Sequence, residues 1–235
     1  MRRIAYITDV HLDEQFPIDN NVNPKQNLEI VLQDISKQGV NEIIFGGDIG
    51  EASSHIYFFD ALKPFTFKLV LGNHDKFKNV KDHFIIDKSK NELYYKVEDE
   101  NYLYLFLDTS TDEISNSQLL WLQSELKINK KILVFIHHPI LPINTPVDNQ
   151  YPLKNREELK SILLHQKNNI TVFCGHYHMN DEFELENIKQ ITTQSLSFQL
   201  VKNADKIQID NLNFGYRIIE IHEDKIETHL INFKN

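Results

Sequence analysis

Residues 42–48 read Glu-Ile-Ile-Phe-Gly-Gly-Asp, which is a short apolar run, a pair of glycines and then a carboxylate. The run is typical of a buried β-strand, because it is rich in β-branched and aromatic residues and glycine follows it. Five similar runs recur along the chain, at residues 4–7, 67–71, 102–107, 131–136 and 170–174. We therefore predict six short buried strands, with Asp48 just beyond the carboxyl end of one of them.

Amphipathic segments separate several of these runs and predict helices. The clearest covers residues 24–38, where apolar side chains recur at i, i+3, i+4 and i+7. Those side chains are Leu28, Val31, Leu32 and Ile35. A second helix is predicted to begin at Ser115, which can form a capping box with Gln118 three residues later. A third helix is predicted over residues 155–166.

Beyond residue 181 the chain changes to closely spaced strand-like pieces without helical periodicity. They cover residues 183–185, 188–193, 196–201, 216–222 and 225–231. Alternating strands and helices followed by an antiparallel tail predict an α/β (α+β) fold. We expect a four-layer sandwich in which two mixed β-sheets pack face to face with helices outside. Since no repeat or interdomain linker is evident, we expect a single domain over residues 1–235.

The composition limits the partners and the compartment. With 25 basic and 34 acidic residues, the formal net charge of -9 disfavours a nucleic-acid polymer or an anionic membrane as a partner. No run approaches the roughly 18 apolar residues that a membrane span requires. Cys174 is the only cysteine, which excludes an intrachain disulfide and fits a reducing cytoplasm. We therefore expect a cytoplasmic protein without a membrane partner, and the oligomeric state, a homodimer included, stays open.

Side chains that can bind metals follow five of the six predicted strands and are rare elsewhere in the first 180 residues. The five blocks are Asp9-Val10-His11, Gly46-Gly47-Asp48, Gly72-Asn73-His74-Asp75, His137-His138-Pro139 and Gly175-His176-Tyr177-His178. In open α/β sheets the carboxyl ends of neighbouring strands converge on one crevice, so we expect the blocks to meet in space. Any one block is a weak signal, since two polar residues after a strand are more often an ordinary turn.

The residue types and their spacing favour a metal site. In extended backbone, residues i and i+2 point to the same face, so Asp9 with His11 should aim at one point, and His176 with His178 likewise. Mixed oxygen and imidazole ligands suit Mn²⁺, Fe or Zn²⁺ better than Ca²⁺ or Mg²⁺, which prefer oxygen. A central Asp48 carboxylate can bridge two ions. The adjacent glycines fit tight turns where backbone passes close to the metals.

In these blocks the chain resembles the calcineurin-like metallophosphoesterase superfamily. The ordered signature of that superfamily is D-x-H, G-G-D, G-N-H-D, a histidine near H-x-P, and G-H-x-H, and all five parts occur in order across residues 9–178. The resemblance implies two divalent or mixed-valence metal ions that share Asp48. It assigns one ion to Asp9, His11, Asp48 and His178, and the other to Asp48, Asn73, His137 and His176.

The resemblance also implies roles for the residues that follow Asn73. His74 would contact the phosphate and assist the leaving group, and Asp75 would lie behind it and orient its ring, as carboxylates often do for imidazoles. For His138 two alternatives stay open, namely that it faces the substrate or that it binds a neighbouring loop. No protein nucleophile is required, because two divalent ions lower the pKa of a shared water from near 16 to about 7.

A narrower resemblance is to the class III 3′,5′-cyclic-nucleotide phosphodiesterases. Residues 117–122, Ser-Gln-Leu-Leu-Trp-Leu, are similar to the Q-L-x-W-L helix of that family. Residues 194–199 and 215–217 are similar to its P-S-T-x-x-Q and P-G-Y-R blocks. The departures, at positions where Pro, Thr and Pro are usual, are Gln194, Leu196 and Phe214. They spare the metal site and weaken the inference about the substrate.

The resemblance predicts hydrolysis of a small anionic phosphodiester, with cyclic AMP or a related cyclic nucleotide as the best single substrate. A phosphomonoesterase or a broad-specificity phosphodiesterase of the same superfamily stays open. A nuclease is disfavoured by the acidic net charge and the lack of a basic tract. A non-catalytic protein-binding scaffold is the alternative from another class, and it is disfavoured because all seven implied ligand positions carry competent side chains.

Overall fold

The structure is a computed structural model that describes residues 1–84 and 91–235. Within these residues one mixed sheet has five strands. They are, in sheet order, β13 (Ile226–Lys234), β12 (Asn213–Ile221), β1 (Arg2–Ile7), β2 (Glu42–Phe45) and β3 (Thr66–Leu69). The strands β1, β2 and β3 run parallel, and β12 and β13 extend the sheet antiparallel.

The second mixed sheet has six strands in the described part of the chain. They are, in sheet order, β4 (Tyr95–Glu98), β5 (Tyr102–Phe106), β6 (Lys131–Phe135), β7 (Ile170–Cys174), β9 (Ile188–Thr192) and β8 (Asp181–Leu185). The four central strands are parallel, and the two edge strands are antiparallel to their neighbours. A short ribbon pairs β10 (Gln199–Leu200) with β11 (Ile209–Asp210).

Helices connect these strands. They are α1 (Gln15–Asp19), α2 (Pro24–Lys37), α3 (His55–Leu62), α4 (Phe77–Val80), α5 (Asn116–Glu125), α6 (Pro146–Gln150) and α7 (Arg156–Leu164), and a 3₁₀ turn (Ala52–Ser54) leads into α3. In the residues that the structure describes, none of the helices has the length and apolar character needed to cross a membrane.

Three apolar clusters define the layers. The middle cluster joins the inner faces of the two sheets and is rich in aromatic rings, such as Tyr6, Phe135 and Phe173. A second cluster packs α2 and α3 on the outer face of the five-stranded sheet, and a third packs α5 and α7 on the outer face of the six-stranded sheet. The layers are therefore helix, sheet, sheet and helix, which confirms the predicted four-layer α/β (α+β) sandwich.

The predicted helices form close to their expected bounds, and one cap differs in detail. Ser115 accepts a hydrogen bond from the backbone N of Gln118 and so caps α5. The Gln118 side chain, however, does not return to complete a capping box. It makes two hydrogen bonds to the backbone of Asp108, at 2.8 and 2.9 Å, because it is buried beside that strand end rather than exposed on the first turn.

The predicted strand over residues 196–201 is mostly wrong. Only the two residues of β10 form a strand there. Upstream, the Ser195 hydroxyl accepts a hydrogen bond from Ser197 N, and the Gln199 side chain accepts one from Ser195 N. Such short side-chain bonds to the backbone compete with a strand ladder, so an apolar alternating sequence forms a turn here.

Candidate metal centre

The site lies where β1, β2, β3, β6 and β7 end, and its turns have an unusual backbone. Several of its residues have left-handed backbone angles, with φ between 45° and 67°. They are Asp9, His11, Asp48, His176 and His178. Residues other than glycine rarely adopt this region, although Asn, Asp and His tolerate it best, and such strain concentrates at functional sites.

These turns correct one part of the sequence reasoning. Asp9 with His11, and His176 with His178, were expected to share a face of extended backbone, but both pairs lie beyond their strands in left-handed turns. The side chains converge because the turns fold over the sheet ends. At Gly72 a Cβ atom would overlap the Asp48 carboxylate, and at Gly175 it would overlap that of Asp9, so glycine permits the close approach.

One group of donor atoms gathers around Asp9. The Nε2 atoms of His11 and His178 lie 3.0 Å apart, and His178 Nε2 lies 3.3 Å from Asp9 Oδ1. His11 Nε2 is also 3.7 Å from Asp48 Oδ2, which points towards this group from the neighbouring turn. Asp9, His11 and His178 are buried and could hold one metal ion together.

A second group gathers around Asp48. His137 Nε2 lies 3.2 Å from Asp48 Oδ2 and 3.2 Å from Asn73 Oδ1. His176 offers a further nitrogen within 4.8 Å of the donor atoms of Asp48 and His137. The Asp48 carboxylate therefore contacts histidines of both groups.

The histidines of both groups are oriented for metal binding. Each uses one ring nitrogen for an acceptor oxygen and leaves the other facing the site, the arrangement usual for metal-binding imidazoles. The four contacts are His11 Nδ1 to Glu14 Oε2 at 3.0 Å, His137 Nδ1 to Gly46 O at 2.8 Å, His178 Nδ1 to Phe198 O at 2.9 Å, and His176 Nε2 to Tyr151 O at 2.9 Å.

The donor set fits two transition-metal ions. Ligand atoms about 2.0 to 2.2 Å from one ion lie about 3 to 3.5 Å from one another, which is close to the separations between these donors. Imidazole nitrogens mixed with carboxylate and amide oxygens suit Mn²⁺, Fe or Zn²⁺. The identity of the ions is not fixed by this set.

The charges of the side chains in the site favour cation binding. Burial disfavours ionisation of Asp9, but the charge and hydrogen bond of His178 outweigh it and lower the pKa of Asp9 to about 2. Burial acts in the same sense on Asp48, and His137 outweighs it, so the pKa of Asp48 is well below its usual range. Both carboxylates are therefore ionised at neutral pH and available to a cation.

His74 stands beside the site and is partly open to solvent. Its backbone N donates to Asp48 Oδ1 at 2.9 Å, and its Nδ1 lies 3.0 Å from Glu14 Oε1. The side chain is 44% exposed, so a ligand can reach it. The hydrogen bond to Glu14, opposed by partial burial and assisted by Asp48, raises the pKa of His74 to about 9, so this ring carries a proton at neutral pH.

Asp75 does not contact the His74 ring, contrary to the sequence-based expectation. Its two carboxylate oxygens accept hydrogen bonds from three backbone N atoms, those of Gly72, Asp48 and Ile49, at 2.8 to 3.0 Å. These bonds join the turn after β2 to the turn after β3. Asp75 is therefore committed to holding the two turns together, and Glu14 contacts His74 in its place.

His138 is buried and binds a neighbouring loop. Its Nδ1 lies 2.8 Å from the Thr109 hydroxyl, and its Nε2 lies 3.6 Å from Asp112 Oδ1. Its ring also packs against His176, with centroids 4.0 Å apart. Of the two alternatives that the sequence left open, these contacts match the second, a hydrogen bond to a nearby loop.

Sequence reasoning missed several groups that act on the site. Glu14 carries no motif, and the acceptors for His176 and His178 are backbone carbonyls of Tyr151 and Phe198, which have no residue-type signature. Thr8, which donates to Asp9 Oδ2 at 2.7 Å, could have been found because it directly precedes the Asp9 block.

A family model described as calcineurin-like phosphoesterase matches residues 2–180. The chain belongs to this family. The match spans all five blocks and confirms the resemblance on which the dinuclear site was predicted.

Three bacterial relatives align over most of this phosphoesterase. A probable cyclic nucleotide phosphodiesterase from Fibrobacter succinogenes is 28% identical over 237 residues, which are 96% of this chain and 92% of the relative. The 3′,5′-cyclic adenosine monophosphate phosphodiesterase CpdA from Haemophilus influenzae is 29% identical over 239 residues, 94% of this chain and 86% of the relative. A probable glycerophosphodiester phosphodiesterase from Arcobacter nitrofigilis is 29% identical over 200 residues, 80% of this chain and 69% of the relative.

Among solved structures, a dimetal phosphatase from Danio rerio is similar to this phosphoesterase. The TM-score is 0.71, the identity is 13%, and the match covers 99% of this chain and 98% of that one. The likeness supports the shared fold alone. The family and the three relatives together confirm the predicted class of enzyme, a metal-dependent phosphodiesterase.

Proposed function

We propose that this phosphodiesterase hydrolyses a small 3′,5′-cyclic nucleotide, with cyclic AMP as the best single substrate. The observation that carries the proposal is the convergence of donor atoms from five strand ends, beside a solvent-accessible imidazole at His74. The names of two relatives, from Fibrobacter and Haemophilus, support the substrate class.

In this proposal two ions of the Mn²⁺, Fe or Zn²⁺ type share Asp48. The two proposed ligand sets are Asp9, His11, Asp48 and His178 for one ion, and Asp48, Asn73, His137 and His176 for the other. When bound, the ions supply an activated water and neutralise the phosphate oxygens. The protein itself holds the ligands in place, because a carboxylate or a carbonyl fixes the second nitrogen of each imidazole.

His74 would protonate the leaving group. A water gives one proton to solvent and its oxygen forms the new bond to phosphorus, the ester P–O bond breaks, and the departing oxygen takes a proton from the ring of His74. The ring then recovers a proton from solvent. Two observations support this role, since Nδ1 of the ring is held by Glu14 and its pKa is raised to about 9. A positioned general acid contributes about 10²- to 10⁴-fold to such reactions. Asp75 supports the site indirectly, through the turns that carry Asp48 and Asn73.

A substrate panel with Mn²⁺ tests the proposal. The panel contains cyclic AMP, bis(4-nitrophenyl) phosphate, 4-nitrophenyl phosphate, glycerophosphocholine and single-stranded DNA. We expect kcat/KM for cyclic AMP to exceed that for the monoester and for DNA, and we expect activity to vanish with EDTA and return with Mn²⁺. A preference for the monoester would exclude the cyclic-nucleotide proposal, and cleavage of no substrate would favour the scaffold alternative.

A glycerophosphodiester is the second candidate substrate. It is favoured by the Arcobacter relative, whose name specifies that activity at an identity similar to the other two. The same metal site would serve either substrate, because both present one ionised phosphodiester. A kcat/KM for glycerophosphocholine above that for cyclic AMP would select the second candidate.

We also propose a cytoplasmic location and a single domain over residues 1–235. The lone, buried Cys174 fits a reducing compartment, where thiols persist. Light scattering on the purified protein decides between a monomer and the homodimer that the sequence left open. Limited proteolysis that yields two stable fragments would contradict the single domain.

A further inference from the structure

We propose that Glu14 is a positioning residue that fixes two imidazoles at once, His11 towards the metal ions and His74 towards the leaving group. The inference rests on the proposed function, because the roles of both histidines belong to it. It adds a residue that neither the five blocks nor the family signature contains.

Each carboxylate oxygen of Glu14 contacts a different histidine. Its Oε2 lies 3.0 Å from Nδ1 of His11, and its Oε1 lies 3.0 Å from Nδ1 of His74. The two rings meet edge to face with their centroids 4.8 Å apart. The Glu14 side chain is only 14% exposed, so water competes weakly for these contacts. One carboxylate therefore joins a proposed metal ligand to the proposed proton donor.

The local structure leaves the Glu14 carboxylate free for this task. Glu14 is the N-cap residue of α1, a position from which a side chain commonly accepts a hydrogen bond from the first helical turn. Its side chain makes no such bond. A role in starting α1 therefore does not explain where the carboxylate lies, and the contacts with the two histidines do.

The contacts have a definite chemical consequence. When one imidazole nitrogen is held by a carboxylate, the other nitrogen is the one offered to a metal or a substrate. For His11 this leaves Nε2, which lies 3.0 Å from His178 Nε2 within the donor group of Asp9. For His74 it also leaves Nε2, on a ring that lines a cavity of about 340 Å³ together with Glu14. That volume is within the range of small-ligand sites.

The variant Glu14→Gln tests the inference, with Glu51→Gln as the matched control. A glutamine is uncharged and has only one acceptor oxygen, so at most one of the two Nδ1–H groups can keep an acceptor at this position. Glu51 lines the same cavity but is exposed, and its side chain makes no hydrogen bond or ion pair with the site histidines. Thermal unfolding of both variants checks that each is folded.

The first readout is metal affinity, measured by titration of the metal-free protein with Mn²⁺ or Zn²⁺. We expect Glu14→Gln to weaken the binding of one ion by about 10- to 100-fold, the usual effect of removing a partner behind a metal-binding histidine. Glu51→Gln should bind both ions as the unaltered protein does. Unchanged affinity in Glu14→Gln would overturn the part of the inference that concerns His11. If the unaltered protein bound three ions and Glu14→Gln bound only two, that part would also be overturned, since Glu14 would then be a metal ligand.

The second readout is the dependence on the leaving group, measured with methyl 4-nitrophenyl phosphate and methyl phenyl phosphate. The phenoxide is the poorer leaving group and depends more on a proton donor, so Glu14→Gln should lower kcat for the phenyl diester by at least about tenfold more than for the nitrophenyl diester. This difference should disappear when His74→Ala is already present. Equal losses on both diesters would overturn the part that concerns His74.

The two readouts separate this inference from the proposed function. If the unaltered protein cleaves neither cyclic AMP nor either diester with metal present, the proposed function fails and the role assigned to His74 fails with it. The metal titration still decides whether Glu14 positions His11. Activity on both diesters with identical behaviour of Glu14→Gln and Glu51→Gln would reject Glu14 and leave the proposed function standing.

Discussion

The chain up to residue 180 and the chain after it contribute to the same site in different ways. The first part supplies the proposed donor side chains, each just beyond a strand end. The second part supplies support, since the Phe198 carbonyl binds His178 Nδ1 at 2.9 Å and the Ser195 hydroxyl donates to the Asp9 carbonyl at 2.8 Å. The identity of a proposed ligand therefore depends on a motif, whereas its orientation depends partly on hydrogen bonds from a later segment that contributes no donor to this site.

The largest expected effect is that of Asp48→Asn, in the part that supplies donors. An amide cannot replace a carboxylate shared by two ions, so we expect metal binding to fail. The hydrolysis rate should fall by more than about 100-fold, which is the upper end of the usual effect of removing a group that only hydrogen-bonds a metal ligand. Metal content and Mn²⁺-dependent activity measure this. Asp60→Asn, at an exposed position on α3, is the control and should behave as the unaltered protein. If Asp48→Asn still bound two ions, the role of the first part of the chain as the source of the metal ligands would be contradicted.

A change of pH is expected to have a smaller effect on metal affinity. Burial disfavours the charged form of His137, but Asp48 and then Asp9 outweigh it and raise its pKa to about 10, whereas burial and the charge of His137 lower the pKa of His176 to about 4. At pH 7 the metal-free site therefore carries a proton on His137 that an ion must displace. Affinity should rise with pH by up to about tenfold per unit for each proton released.

Calorimetry in two buffers with different heats of ionisation measures that proton release. We expect at least one proton to be released when the metal-free protein takes up Zn²⁺ at pH 7. Affinity that is constant between pH 6 and pH 8 would contradict the predicted charge on His137. Because the supporting segment places no titrating group against the donors, changes there should leave the number of released protons unaltered.

The smallest effect on metal affinity is expected from Phe198→Ala, in the supporting part. The centroid of the Phe198 ring lies 4.5 Å from that of His178 and 5.3 Å from that of Phe16. The hydrogen bond of His178, however, is accepted by the backbone carbonyl of Phe198, which the variant keeps. We expect a loss of about 3 kcal/mol in the free energy of unfolding and a change in affinity below about tenfold. Urea unfolding and metal titration measure the two effects.

Phe183→Ala on β8, where the ring is 44% exposed, is the control for lost aromatic surface. It should lower the free energy of unfolding much less than Phe198→Ala does, and it should not change the metal affinity. A loss of affinity in Phe198→Ala as large as that in Asp48→Asn would show that packing, rather than the carbonyl, orients His178.

The same division explains what the sequence could predict. Asp9 and Asp48 could be proposed as ligands because each lies just beyond an apolar run, and the convergence of parallel strand ends is a general property of α/β sheets. The four-layer fold followed from the alternation of strand and helix patterns. These inferences need only local patterns and one rule of topology.

The parts that could not be predicted depend on contacts between distant backbone groups. Nothing in the sequence indicates that Asp75 would bind the backbone of Asp48 and Ile49, or that Glu14 would reach His74, which is 60 positions away. The turn at Ser195 was missed for a related reason, since its hydroxyl and the Gln199 amide replace a strand ladder that the apolar alternation favours.

The left-handed turns restrict how this site can change over time. Each residue there must both bind and tolerate a backbone conformation that costs most side chains about 1 to 3 kcal/mol. A library randomised at Asp9, Asp48 and His176 and sorted only for folded protein should therefore be enriched in Asn, Asp, His and Gly, and depleted of Val and Ile, before any selection for activity. The backbone conformation therefore limits which residue types can occupy these positions, whatever reaction a mutated site might catalyse.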